Sequence, residues 1–93
     1  MATSTIEQRI RTVTTSGTTD SSGVIRGAMS VVTPGSKNGD VILSVFLEKD
    51  SYSVYRHVEV WNYGERGYLL KFFDSDTPIA SATVNYTVTY LSV

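Results

Sequence analysis

Residues 80–90 read Ala-Ser-Ala-Thr-Val-Asn-Tyr-Thr-Val-Thr-Tyr, and this stretch decides the fold class. From Ala82 the alternation is strict. Ala82, Val84, Tyr86, Val88 and Tyr90 point one way, and Thr83, Asn85, Thr87 and Thr89 the other. Side chains of a strand alternate between faces, so the segment has one apolar and one hydroxyl-rich face. A helix would scatter the apolar groups around its circumference. A strand this long needs a partner on each side, or a cover for its open edge.

Working outward, the composition agrees. The 93 residues include twelve Thr, twelve Val and five Ile but only four Ala. β-branched side chains suit a pleated surface and lose rotamer freedom in a helix. The length fits one domain, residues 1–93. Its modest core must be efficient or helped by partner chains. Without cysteine, neither disulfides nor thiolate metal sites are available.

Eight basic residues against nine acidic ones argue against a nucleic-acid binder, which needs a basic patch. No apolar run approaches the roughly 20 residues of a membrane span, so no membrane insertion is expected. The start Met1-Ala2-Thr3-Ser4-Thr5 lacks the basic and apolar regions of a signal peptide.

Earlier segments read as further strands. In residues 6–15, Ile6, Ile10 and Val13 have helical spacing and Thr5 to Gln8 resembles a capping box. The Thr-rich end favours a strand, with a short helix as the rival. Residues 17–23 form a turn, and 24–32 resume strand chemistry with a bulge or bend at Gly27. Residues 34–40 form a loop with an Asn38-Gly39 hairpin signal. The run 41–48 is almost wholly apolar, as in a strand buried on both faces or a central strand at an interface. Lys49-Asp50-Ser51 reads as a turn.

Residues 52–63 read as one long strand with two faces. Val54, Val58 and Val60 line one, and Tyr55, His57, Glu59, Trp61 and Tyr63 the other. A hairpin loop at 64–67, a strand at 68–73, a loop at 74–78 and the final strand at 79–91 complete the chain. The expected fold is therefore all-β. It is an antiparallel β-sandwich (Ig-like or jelly-roll-like) of six or seven strands, with a small barrel as the alternative.

Catalytic patterns are weak. His57 is the only histidine, its expected neighbours are aromatic, and no Gly-x-Ser-x-Gly elbow accompanies it. One histidine without cysteine does not make a zinc site. Asp74 and Asp76 lack the ligand series of a calcium loop and read better as turn-capping carboxylates. Residues 17–23 lack the lysine and following helix of a phosphate loop. No enzyme activity, metal or cofactor is expected.

The aromatic row is the better candidate. Aromatic rings bury large area at small entropy cost and keep a polar edge. If Val54, Val58 and Val60 fill the core, Tyr55, His57, Trp61 and Tyr63, with Arg66 nearby, remain for a ligand or a subunit. Otherwise the row is the second packed face of the sandwich.

Two motifs carry a family resemblance. One is Thr14-Thr15-Ser16-Gly17-Thr18-Thr19-Asp20-Ser21-Ser22-Gly23 leading into Val24-Ile25. The other is the ending from Pro78-Ile79-Ala80 through Val84-Asn85-Tyr86-Thr87-Val88-Thr89-Tyr90-Leu91. Together they resemble the small β-sandwich modules at the C-termini of tail-fibre, baseplate and other virion proteins of tailed bacteriophages. The resemblance implies a virion structural or adhesion module, made in the bacterial cytoplasm and working without catalysis. It implies partners that include further copies of the chain, often as a homotrimer, other virion proteins and a host surface glycan. A monomeric carbohydrate-binding module and a phage-encoded inhibitor of a host protein are the alternatives.

Overall fold

The computed structural model describes residues 6–48 and 52–93. Among them the chain runs α1 (Ile6–Arg9), β1 (Ile10–Thr18), β2 (Val24–Gly27), α2 (Met29–Val32), β3 (Val41–Leu47), β4 (His57–Asn62), a 3-10 turn (Gly64–Arg66), β5 (Tyr68–Asp74), β6 (Thr77–Pro78) and β7 (Thr83–Leu91). Two antiparallel sheets pack face to face as a sandwich. One has the order β1-β7-β3. The other has the order β2-β5-β4, with β6 paired to β5. The turn expected at residues 49–51 lies outside the described residues. Among the described residues no helix is long and apolar enough to cross a membrane.

The terminal strand behaves as its alternation requires. Val84, Tyr86, Val88 and Tyr90 are buried, and β7 lies between β1 and β3 with a partner on each edge. Tyr68, Leu70 and Phe72 of β5 face them across the core. The rings of Phe72 and Tyr86 meet at 5.3 Å, tilted by 53°. Each such side chain contributes roughly 1.5–3 kcal/mol by leaving water.

The connections between sheets are tied by side chains. Thr19, buried at the turn after β1, donates from Oγ1 to Ile79 O at 2.7 Å and accepts from Ala82 N at 3.0 Å. Asp20 next to it accepts from Ser22 N at 2.8 Å and Val24 N at 3.0 Å. The Val24 and Ser22 amides hold its carboxyl below the ordinary value of 3.8 against weaker desolvation, with small help from Arg26 and Lys71. Asp40, also buried, accepts from Lys37 N and Val93 N, fixing the end of the chain to the 34–40 loop.

Five expectations are corrected. Residues 6–15 contain both rivals, one helical turn and then the strand from Ile10. The strand expected over 24–32 ends at Gly27, and residues 29–32 are helical. Met29 and Val32 thereby turn inward to close one side of the core, and Ser36 Oγ donates to Met29 O and Thr33 O beneath the turn. No hairpin forms around Asn38-Gly39, because β2 pairs with β5 and β3 with β7 in the opposite sheet.

The apolar run at 41–48 is not buried on both faces. It forms an edge strand with Ile42, Val45 and Leu47 turned inward, whereas Leu43 and Phe46 are half exposed. A register shift between Ile42 and Ser44 leaves Leu43 unpaired, as a bulge does. Among the described residues no third layer of strands or helices covers the outward faces of the two sheets. Arg56 lies over Phe46, with the guanidinium carbon 5.0 Å from the ring centre.

The long strand expected over 52–63 begins only at His57. Asp74 Oδ1 accepts from Ser53 N and Ser53 Oγ, and Ser53 in turn accepts from the Tyr55 and Arg56 amides. The segment is thereby coiled into a turn. Val54 is exposed there, so the inward face of β4 is Val58, packed on the core, and Val60 at the sandwich edge.

Candidate functional site

The outward face of the β2-β5-β4 sheet is built by register. Directly opposed residues of antiparallel strands share a face. Trp61 of β4 therefore lies beside Leu69 of β5, which lies beside Arg26 of β2. Glu59 lies beside Lys71, and His57 beside Phe73. The inner face of the same strands carries Val58, Leu70 and Phe72 into the core. The aromatic row of β4 is thus the face that the core leaves over.

The five candidate residues divide into two groups. At one end, Tyr63 and Arg66 line a groove of about 440 Å³ together with Arg26, Gly27, Tyr68 and Leu69. Trp61 stands next to it across from Leu69, with 41 % of its surface exposed, and Tyr63 is also exposed. At the other end, four residues or roughly 13 Å along the strand, His57 stacks on Phe73. Their rings are 4.8 Å apart and within 7° of parallel. Lys71 Nζ covers the same Phe73 ring at 5.4 Å. Tyr55 lies beyond His57 in the coiled segment, 72 % exposed, and does not join the groove.

The groove depends on the Gly64–Arg66 turn. Asn62 Oδ1 accepts from Gly64 N at 2.8 Å, and Tyr63 and Gly67 pair through backbone. Gly67 has φ +92°, and a Cβ there would collide with the carbonyl of Gly27. Only glycine lets the turn lie against β2, and that close approach sets Arg66 on the same groove as Arg26.

Arg26 and Arg66 make the groove cationic. The ion pair of Arg26 with Asp20 is long, 3.9 Å, and solvent-exposed. Such pairs contribute little and leave the guanidinium free to exchange partners. The groove offers guanidinium donors beside aromatic and aliphatic surface, an arrangement suited to ring stacking with hydrogen bonds at the edge.

A larger cleft, about 630 Å³, lies at the end of the sandwich between the loops at 38–41 and 62–68. Its buried carboxylate, Asp40, is already engaged by two backbone amides. Asn62 Nδ2 and Ile42 N both donate to the Tyr68 hydroxyl on its wall. These groups hold the loops in place, which makes the cleft a weaker candidate despite its size.

Four groove residues were not visible in the sequence as such. Tyr68 and Leu69 of β5 and Arg26 and Gly27 of β2 come from other strands, and only the pairing register brings them to Tyr63 and Arg66. Asp74 does cap a turn, but through one carboxylate oxygen on Ser53, 21 residues earlier, and so it holds the 53–56 segment. Among the described residues no group of three His, Cys, Asp or Glu side chains is placed to hold a metal ion. No family model, curated protein or solved structure matches this chain.

Proposed function

We propose that the chain is a non-catalytic recognition module of a bacteriophage virion, and that it binds a host surface glycan through the outward face of the β2-β5-β4 sheet. One observation carries the reading. Trp61 and Tyr63 are exposed beside a groove bearing Arg26 and Arg66, on the face that the core does not use. Aromatic faces stack on sugar rings, and guanidinium forks bond hydroxyl and carboxylate oxygens. The resemblance of residues 14–25 and 78–91 to phage virion modules supplies the biological setting. His57 and Tyr55, separated from the groove, are left out of the binding set.

A screen against bacterial surface polysaccharides tests the reading, with titration of the best responders. Wild type is expected to bind at least one class. Trp61→Ala and Arg66→Ala are each expected to weaken it tenfold or more with the fold intact. Absence of binding across the panel, or binding indifferent to both substitutions, overturns the proposal.

A further inference from the structure

The nine-residue strand β1 stands at the edge of its sheet and pairs with β7 in an unbroken register from Ile10↔Leu91 to Thr18↔Thr83. Among the described residues no element pairs with its other edge.

The direction of the unpaired groups follows from the ends of the ladder. Thr19 N donates to Ala82 O and Ser92 N donates to Arg9 O, both at 2.8 Å. These contacts continue the β1–β7 register at positions 9 and 19. Hydrogen-bonded and non-hydrogen-bonded pairs alternate along an antiparallel ladder. Odd-numbered residues of β1 therefore aim their backbone at β7. Ile10, Thr12, Thr14, Ser16 and Thr18 turn their N–H and C=O groups outward.

Proteins blunt such edges with lysine, proline, bulges or inward charges. β1 has no lysine, proline or bulge; its single charged residue, Arg11, shares the inward face with Val13 but lies exposed near one end of the ladder, opposite Tyr90. An edge this long and regular is a template for another strand.

We propose that β1 pairs antiparallel with β1 of a second copy about a two-fold axis at Thr14, joining two three-stranded sheets into one of six strands. The sequence of β1 is complementary to itself in this register. Thr14 opposes its own counterpart, Thr12 opposes Ser16, and Ile10 opposes Thr18, so every hydrogen-bonded pair uses the outward-facing residues of both copies. Opposed residues share a face, so outer hydroxyls meet outer hydroxyls and the two cores stay on one side. Cross-strand Thr–Thr and Thr–Ser pairs are favourable. Arg11 falls opposite Gly17, on which the Ile25 side chain packs, and it meets no like charge there. The self-complementarity favours a second copy over an unrelated strand, and it closes as an isologous dimer. The pairing stands whether or not the other sheet binds a glycan.

Two measurements test it on the whole chain. Light scattering over a concentration series is expected to show growth from the 10.2 kDa chain to twice that mass. Amide exchange followed by NMR is expected to protect Thr12, Thr14 and Ser16 in the dimer and release them on dilution. Val13 and Thr15 stay protected throughout. Thr14→Lys is expected to raise the dissociation constant at least tenfold. Thr14→Pro, which removes only an outward N–H, is expected to do the same. Should the proline variant not fold, the lysine variant carries the test alone. A monomer at millimolar concentration, a trimer, or a dimer that tolerates Thr14→Lys with Thr12 and Thr14 amides exchanging freely overturns the proposal.

Discussion

The hydroxyl of Tyr86, in the middle strand of its sheet, donates to the carbonyl of Val32 at 2.8 Å. The bond ties the strand that the sequence announced most clearly to the helical turn that it announced least. Burial raises the Tyr86 pKa above its ordinary value of 10.0, because the charged form loses its hydration. A raised folded pKa gives stability that is complete below the unfolded value and is lost as pH rises through the folded one. Tyr86→Phe is expected to cost about 1–3 kcal/mol at neutral pH, since it leaves the Val32 carbonyl unpaired in the core. The variant should also lose part of the alkaline fall in stability above pH 10. Thermal melts of both proteins between pH 7 and 11 check this. Parallel curves over that range would remove Tyr86 as a titrating contributor.

Thr33, next along the chain, offers the opposite case. It is fully buried, and its Oγ1 has no hydrogen-bond partner among the described residues. An unsatisfied buried hydroxyl carries a desolvation penalty, and valine has nearly the same shape without it. Thr33→Val is expected to stabilise the fold by about 1 kcal/mol, roughly 4–8 °C in melting temperature for a chain of this size. Denaturant unfolding measures the difference, and a destabilised variant would show that the hydroxyl has a partner in solution.

Asp20 governs the turn between the sheets from the other end of the pH scale. Its carboxyl is held low by the Val24 and Ser22 amides. A depressed folded pKa gives stability that is complete above the unfolded value of 3.8 and is lost as pH falls through the folded value. Wild type is expected to be more stable than Asp20→Asn at pH 6, with the gap closing below pH 3. Melting curves at both pH values decide it. A gap of constant size would mean that the carboxylate charge plays no part in the turn.

The readable parts of the chain were those governed by local periodicity. The alternation from Ala82 to Tyr90 specifies face, burial and central position together, because only one phase puts Val84, Tyr86 and Val88 into a core. The hairpin at Gly64 and Gly67 was readable for the same reason, since glycine is needed where φ is positive. Met29 to Val32 was not readable as a helix, because Val31 and Val32 favour extended chain and only the gap beside β5 and β7 makes the helical turn profitable. Residues 52–56 carry strand-like chemistry, yet Asp74, far along the chain, recruits Ser53 and coils them. Arg26 joins Tyr63 and Arg66 only through the β2–β5 register, which no local pattern encodes. The groove was therefore legible as an aromatic stretch but not as a site.

The two ends of the aromatic row should separate in experiment. His57 is held against Phe73, so His57→Ala removes a stacked pair worth about 0.5–1.5 kcal/mol. It is expected to lower stability by about that amount and to change affinity for the best-binding polysaccharide less than twofold. Trp61 is exposed enough to meet a ligand and has no ring partner among the described residues. Trp61→Ala should therefore lower affinity tenfold or more, with a stability loss below about 1 kcal/mol, as expected for a surface position. Titration and thermal melts of both variants give the four numbers required. If His57→Ala abolishes binding while Trp61→Ala chiefly lowers the melting temperature, the recognition surface belongs at the His57–Phe73 end, and the arginine groove loses its role.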